Sequence, residues 1–264
     1  MKKNKFITAI FFILVIIILQ PNVRHSIYEA FTNQDIASQL GVSQGTQTKN
    51  NDGDKSDRQI IDDLKKQKYI SPHQVVQINN NKPTFSNEDL SIAKDHWEKY
   101  SNLDMLNRVG QADALLSINS MPTAERESIA NVKPTGWKNK KIIFNGKKDY
   151  LYNRSHLIGF QLTGQNANPK NLFTGTRALN ANFDDEQNSM VYYENEVANY
   201  IRTTRNHVRY QVTPVFKGME LLARGVRIQA QSIEDNRISF DVYVFNVQPG
   251  YSLDYLTGES VVEK

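Results

Sequence analysis

Residues 140–160 read KKIIFNGKKDYLYNRSHLIGF, and this stretch decides the fold. Asn145-Gly146 accommodates the two positive φ angles of a type I′ turn, so the pattern predicts a hairpin of Lys140–Phe144 and Lys147–Tyr152. Asn153-Arg154-Ser155-His156 follows the second strand directly. An imidazole at a strand end, beside an arginine and a lysine-rich hairpin, is placed to act as a base near an anion. Its ordinary pKa of about 6.5 suits that task at neutral pH. A histidine simply hydrogen-bonded within a loop is the plainer alternative.

Outward from the hairpin, period-two alternation predicts three strands. They run through Val208, Tyr210 and Val212; Val226, Ile228 and Ala230; and Ile238, Phe240, Val242 and Val244. The turn Glu234-Asp235-Asn236 joins the last two. Met190, Tyr193, Val197, Tyr200 and Ile201 recur at helical spacing and predict an amphipathic helix over 188–204. Upstream, Val75, Val76 and Ile78 run into a turn at Asn79–Pro83. Ser86, with Asp89 three residues on and Phe85/Leu90 as a staple, predicts a helix reaching Tyr100. A strand is expected within 108–118. The class is α+β, with a mainly antiparallel central sheet flanked by helices.

With 264 residues and 39% hydrophobic content, the chain holds enough apolar material for a core, which excludes collagen-like and wholly disordered classes. Cysteine is absent, so disulfide scaffolds, thiolate zinc sites and cysteine nucleophiles are excluded. The net charge of +4 conceals a basic middle: residues 131–230 carry 15 bases and 7 acids. That asymmetry favours an anionic partner such as nucleic acid. Lys2, Lys3 and Lys5 precede an apolar run from Phe6 to Leu19, the pattern of a segment that directs the remainder across a membrane. The expected organisation is a membrane anchor or cleaved signal over 1–21, a polar spacer over 22–70, and a catalytic domain over 71–264. The domain then lies on the outer face of a bacterial membrane or, if cleaved, in the medium.

Of the five histidines, His25, His73, His96 and His207 read as structural or solvated. His156 is followed by an amide-rich stretch in which Asn180 comes just before the amphipathic helix. An amide oxygen there suits hydrated Mg²⁺, which keeps most of its water and needs one or two protein oxygens. Glu194 on that helix is placed to orient water around such a cation.

These residues carry a resemblance to the DNA/RNA non-specific endonucleases of the ββα-metal class. That family has an Asp-Arg-Gly-His motif at a hairpin end, an asparagine metal ligand downstream and a glutamate on the following helix. Asn153-Arg154-Ser155-His156, Asn180 and Glu194 occupy those places, and Asn171, in NPKNL, matches a further active-site asparagine. The resemblance runs from about residue 72 to the end and includes NNKPTF (80–85), LNRVG (106–110) and KPTGW (133–137). Asn153 stands for the usual Asp and Ser155 for the usual Gly, which removes a charge and restricts a backbone position.

The resemblance implies His156 as general base, Arg154 as a donor to the phosphate, Glu194 as its catalytic companion, and Asn180 as the ligand of Mg²⁺, with Mn²⁺ as the alternative. Asn153 and Asn171 are active-site support. It implies hydrolysis of double- and single-stranded DNA, and RNA as an alternative, with little sequence preference and 5′-phosphate products. DNA uptake at the cell surface, beside uptake machinery, is the expected role. Lys138, Lys140, Lys141, Lys147, Lys148 and Arg205 are the expected nucleic-acid contacts, since Lys and Arg supply affinity for phosphate without sequence readout. Two other readings are a released nuclease acting on extracellular DNA and a non-catalytic surface module that binds DNA.

Overall fold

The computed structural model describes residues 55–182 and 184–263. The expected N-terminal segment over 1–21 and most of the expected spacer lie outside these residues. The first described element, α1 (Asp57–Leu64), falls inside the stretch read as spacer. Ser56 and Gln59 form a reciprocal capping box, and Ile60 and Leu64 bury against Val215, Tyr243 and Phe245. The folded body therefore takes in residues ahead of 71.

Along the chain follow β1 (Val75–Gln77), β2 (Trp97–Tyr100), β3 (Ala112–Leu116), β4 (Lys141–Phe144), β5 (Lys147–Tyr150), β6 (Tyr152–His156), α2 (Phe160–Thr163), β7 (Leu172–Thr176) and α3 (Arg177–Asn180). The long helix α4 (Met190–Thr204), the strands β8 (Val208–Val215), β9 (Gly225–Ser232) and β10 (Ser239–Phe245), and a short pair β11 (Tyr251–Leu253) and β12 (Ser260–Val262) complete it. The main sheet has the order β1-β10-β9-β8-β3-β2, with every neighbouring pair antiparallel. The class is α+β. Among the described residues no helix is long and apolar enough to cross a membrane.

Alternation dictates how this sheet is used. Tyr210 and Val212, Val226 and Ile228, and Phe240 and Val242 share one core with Met190, Val197, Ala198 and Ile201 of α4 and with Leu157, Ile158 and Leu162. The opposite face carries Asp113, Arg209, Gln211, Arg227, Gln229 and Asp241, all partnered. Gln211 Nε2 donates to Asp113 (2.8 Å), Gln229 Nε2 to Gln211 (2.6 Å), and Arg227 makes two bonds to Asp241 (2.9 and 2.6 Å) and one to Asp57 (2.7 Å). Arg209, which the basic middle suggests as a nucleic-acid contact, is buried: it pairs with Asp113 and lies beneath the rings of Phe85 and Trp97.

Two local expectations change. The helix expected from Ser86 to Tyr100 does not form. Ser86 and Asp89 make the capping bonds, but they close one turn only, and residues 91–96 are exposed, with no core to receive a helical stripe. Trp97–Tyr100 is instead drawn into the sheet beside Ala112–Leu115, so non-local pairing overrides a local start signal. In the second case the 140–152 hairpin turns at Asn145 (φ 50°) and Gly146 (φ 73°) as expected, yet its second strand stops at Tyr150. The chain bends at Leu151, and Tyr152–His156 pairs with β7. The NRSH tetrapeptide is thus within a strand.

The Arg227–Asp241 pair tests this buried polar layer. Asp241→Ala strands a buried guanidinium and is expected to cost about 3–5 kcal/mol. Asp57→Ala, removing the half-exposed partner, should cost about 1 kcal/mol or less. Urea unfolding of both variants reads the difference.

Candidate active site

The ribbon of β6 and β7 aligns Asn153 with Gly175, Arg154 with Thr174 and His156 with Leu172. Thr176 ends β7 and caps α3, its Oγ1 accepting from the Leu179 N–H. Buried Asn246 and Gln248 accept from the Thr176 and Ala178 N–H groups and fix the start of this short helix, whose last residue is Asn180. Helix α4 approaches with Glu194. Asn153, Arg154, His156, Asn180 and Glu194 thereby line one cleft of about 750 Å³, together with Arg126, Trp137, Asp149, Tyr150 and Gly159.

His156 is 7% exposed, and its Nε2 lies 2.8 Å from the Asn166 carbonyl. A carbonyl can only accept, so Nε2 carries the proton and Nδ1 holds the lone pair. Burial pushes the imidazole pKa below its usual value, and the nearby Arg126 charge adds to that, against the Asn166 bond. The neutral, basic form is therefore favoured. Asn171 sits behind, fully buried. Its carboxamide accepts from the Ile158 N–H (2.9 Å) and donates to the Ile158 carbonyl (3.0 Å), pinning the chain two residues beyond His156.

Burial pushes the Glu194 carboxyl up to about 7, against a bond from Gln161 and the charge of Arg126. Its space is made by Gly159: a Cβ there would lie 2.4 Å from Glu194 Oε2, so any side chain would displace the carboxylate. Arg154 is held by the Val132 and Ala130 carbonyls and stacks over Trp137 at 4.3 Å, which ties the 130–137 loop to the cleft. Ser155 lies in regular extended backbone within β6, outside the left-handed region where glycine is required, so it imposes no conformational restriction here. Its Oγ is buried without a hydrogen bond and packs into the space left by Gly175.

Among the described residues no group of three His, Asp or Glu side chains converges as a metal cage. The cleft instead offers oxygen donors from Asn180, Asn153 and Glu194, a set suited to a hard, largely hydrated cation. The lysines stand elsewhere. Lys141, Lys147 and Lys148 are exposed on the β4–β5 hairpin, Lys138 pairs with Glu259, Lys140 is engaged with the Ser260 carbonyl and the Tyr251 ring, and Arg205 caps the far end of α4. None of these six lines the cleft. Sequence reading missed Arg126, Gly159 and the Asn166 carbonyl. Arg126 is flanked by Glu125 and Glu127, which reads as a solvated run, and a backbone carbonyl has no side-chain signature.

A strand ribbon ending in histidine, followed by a helix that brings a glutamate to the same cleft, defines the class of ββα-metal nuclease folds. A sequence model of the DNA/RNA non-specific endonucleases matches residues 90–234, and the chain belongs to that family. A deoxyribonuclease of Streptococcus dysgalactiae subsp. equisimilis is 36% identical over 123 residues, which cover 45% of this chain and 36% of that protein. The chain thus spans about a third of that relative's length. The magnesium-bound structure of NucA from Streptococcus agalactiae superposes with a TM-score of 0.64 at 25% identity, covering 74% of this chain and 89% of that one. Sda1 nuclease with a bound zinc ion shares the fold at a TM-score of 0.61 and 24% identity, over 73% of this chain and 98% of that one.

The Asn166 bond predicts the tautomer. Long-range ¹H–¹⁵N spectra of imidazole-labelled protein at pH 7 should show His156 protonated on Nε2, and its titration should fall below that of a free imidazole. A proton on Nδ1 at pH 7 would contradict the assignment.

Proposed function

We propose that this chain is a metal-dependent endonuclease that hydrolyses phosphodiester bonds of DNA, and RNA as a second substrate, without sequence readout. The observation that carries the reading is the single cleft joining a neutral buried His156, the Asn180 amide and the Glu194 carboxyl. His156 Nδ1 takes a proton from water as the water oxygen bonds to phosphorus; the 3′-oxygen leaves with the electron pair of the broken bond and takes a proton from a second water, giving a 3′-hydroxyl and a 5′-phosphate. Arg154 and Arg126 supply positive charge along the cleft wall, the Asn166 carbonyl holds the imidazole, and Asn171 pins the backbone at Ile158 behind it. Asn180 would hold Mg²⁺, or Mn²⁺ in its place, with Glu194 beside it. When bound, such a cation neutralises charge developing on the phosphate oxygens. The printed names of the relatives, a deoxyribonuclease and a magnesium-bound nuclease, support this reading.

The apolar run at 6–19 behind three lysines supports a place at the outer face of a bacterial membrane, where DNA uptake beside an uptake machine is the fitting role. Release into the medium is the alternative. Membrane fractions probed against culture supernatant separate the two.

Digestion of supercoiled plasmid by the full chain tests the chemistry. Activity should need Mg²⁺ and vanish in EDTA, and His156→Ala should lower the rate by about 10²–10⁴-fold. Parental activity in His156→Ala, or DNA binding without any cleavage, would overturn the proposal in favour of a non-catalytic module.

Gly159→Ala isolates the placing of Glu194. The added methyl displaces the carboxylate, and kcat/KM should fall by about 10²-fold while the urea midpoint changes little.

A further inference from the structure

The β4–β5 hairpin presents two unlike faces. Ile142 points inward and packs with Leu151, Tyr152 and Leu222. The register pairs Lys141 with Tyr150 and Ile143 with Lys148, so period-two geometry puts these four on the opposite face. That face is open: Ile143 is 59% and Tyr150 52% exposed, and both lysines are exposed. Each cation stands directly across from an apolar side chain. Tyr150 also belongs to the cleft wall, so the face runs on from the proposed active site without a break.

The hairpin is held in place at both ends. At its tip, Asn145 Nδ2 donates to Asn182 Oδ1 at 3.2 Å, two residues beyond Asn180. At its base, Asp149 pairs with Arg177 at 2.5 Å, and the Leu151 N–H donates to the Lys140 carbonyl. A preorganised platform of this kind loses little freedom on binding.

Sites for single-stranded nucleic acid combine cations that track the backbone with rings on which bases stack. A duplex buries its base faces and gives such a ring nothing to stack on. Charge complementarity with a phosphodiester chain and continuity with the cleft together select the occupant. We propose that the outer face of this hairpin is a subsite for an unpaired stretch of nucleic acid leading from the cleft. Lys141 and Lys148 contact phosphates, the Tyr150 ring stacks on a base, and Ile143 packs against the neighbouring one. The inference rests on the nuclease reading of the cleft and adds to it a preference for frayed or single-stranded substrate.

Fluorescence anisotropy of the full chain in EDTA tests it, using a labelled single-stranded DNA oligonucleotide and the duplex of the same sequence. Tyr150→Ala should weaken single-strand binding by about tenfold and duplex binding by much less, whereas Tyr150→Phe, which keeps the ring, should retain the parental ratio. An unchanged ratio of the two affinities in Tyr150→Ala would overturn the subsite. So would loss of the ratio in Tyr150→Phe, or Tyr150-dependent binding to anionic phospholipid vesicles with oligonucleotide affinity unaltered. The nuclease reading fails separately, by absence of Mg²⁺-dependent cleavage in the unmutated chain.

Discussion

The hydrogen bond from His156 Nε2 to the Asn166 carbonyl is the constraint on which the site depends. It settles which nitrogen is basic, and it does so with a backbone group that cannot change its role. For the bond to hold, the chain after His156 must loop back within ten residues, and the buried Asn171 carboxamide enforces that return by clasping Ile158 through both its N–H and its carbonyl. The ribbon of β6 and β7 then extends the same register to Arg154 and, through the Thr176 cap, to Asn180. One strand pair thus places the base, the arginine and the amide oxygen, and α4 has only to deliver Glu194.

The main sheet supports this arrangement from behind. Its apolar face receives α4, whose Met190, Val197, Ala198 and Ile201 join the strands in one core. Its polar face is covered by α1, by the segment carrying Thr84 and Phe85, and by the Trp97 ring of β2, over ion pairs and glutamine bonds formed in the interior. Basic residues therefore divide into two populations. Arg209 and Arg227 are spent within the fold, while Lys141, Lys147 and Lys148 stand exposed on the hairpin beside the cleft. The net positive charge of residues 131–230 does not by itself distinguish them.

Much of this was legible in the sequence where local rules decide. Asn145-Gly146 gave the turn, apolar spacing gave α4 to within two residues of its start, and alternation gave β8, β9 and β10. His156, Asn180 and Glu194 stood out through residue type and resemblance, and the structure brings them to one cleft. What was not legible depended on distant partners. Trp97–Tyr100 is a strand because Ala112–Leu116 lies beside it, although the Ser86 cap suggested a helix. Arg209 looks like a surface base until Asp113 and two rings enclose it. Gly159 matters only because a carboxylate from α4 fills the space above it.

If a neutral, buried His156 supplies the base, the pH dependence of kcat/KM at saturating Mg²⁺ shows it most directly. Burial pushes Glu194 up to about 7, into the same range, so the profile is read in Glu194→Gln, where the acid limb reports the imidazole alone. Because burial lowers its pKa, that limb should be centred below about pH 6.5, activity being lost as pH falls through it. Arg126→Ala, which removes a charge opposing protonation, should move the limb upward. An acid limb centred above about pH 6.5 in Glu194→Gln would show that the buried imidazole is not the base.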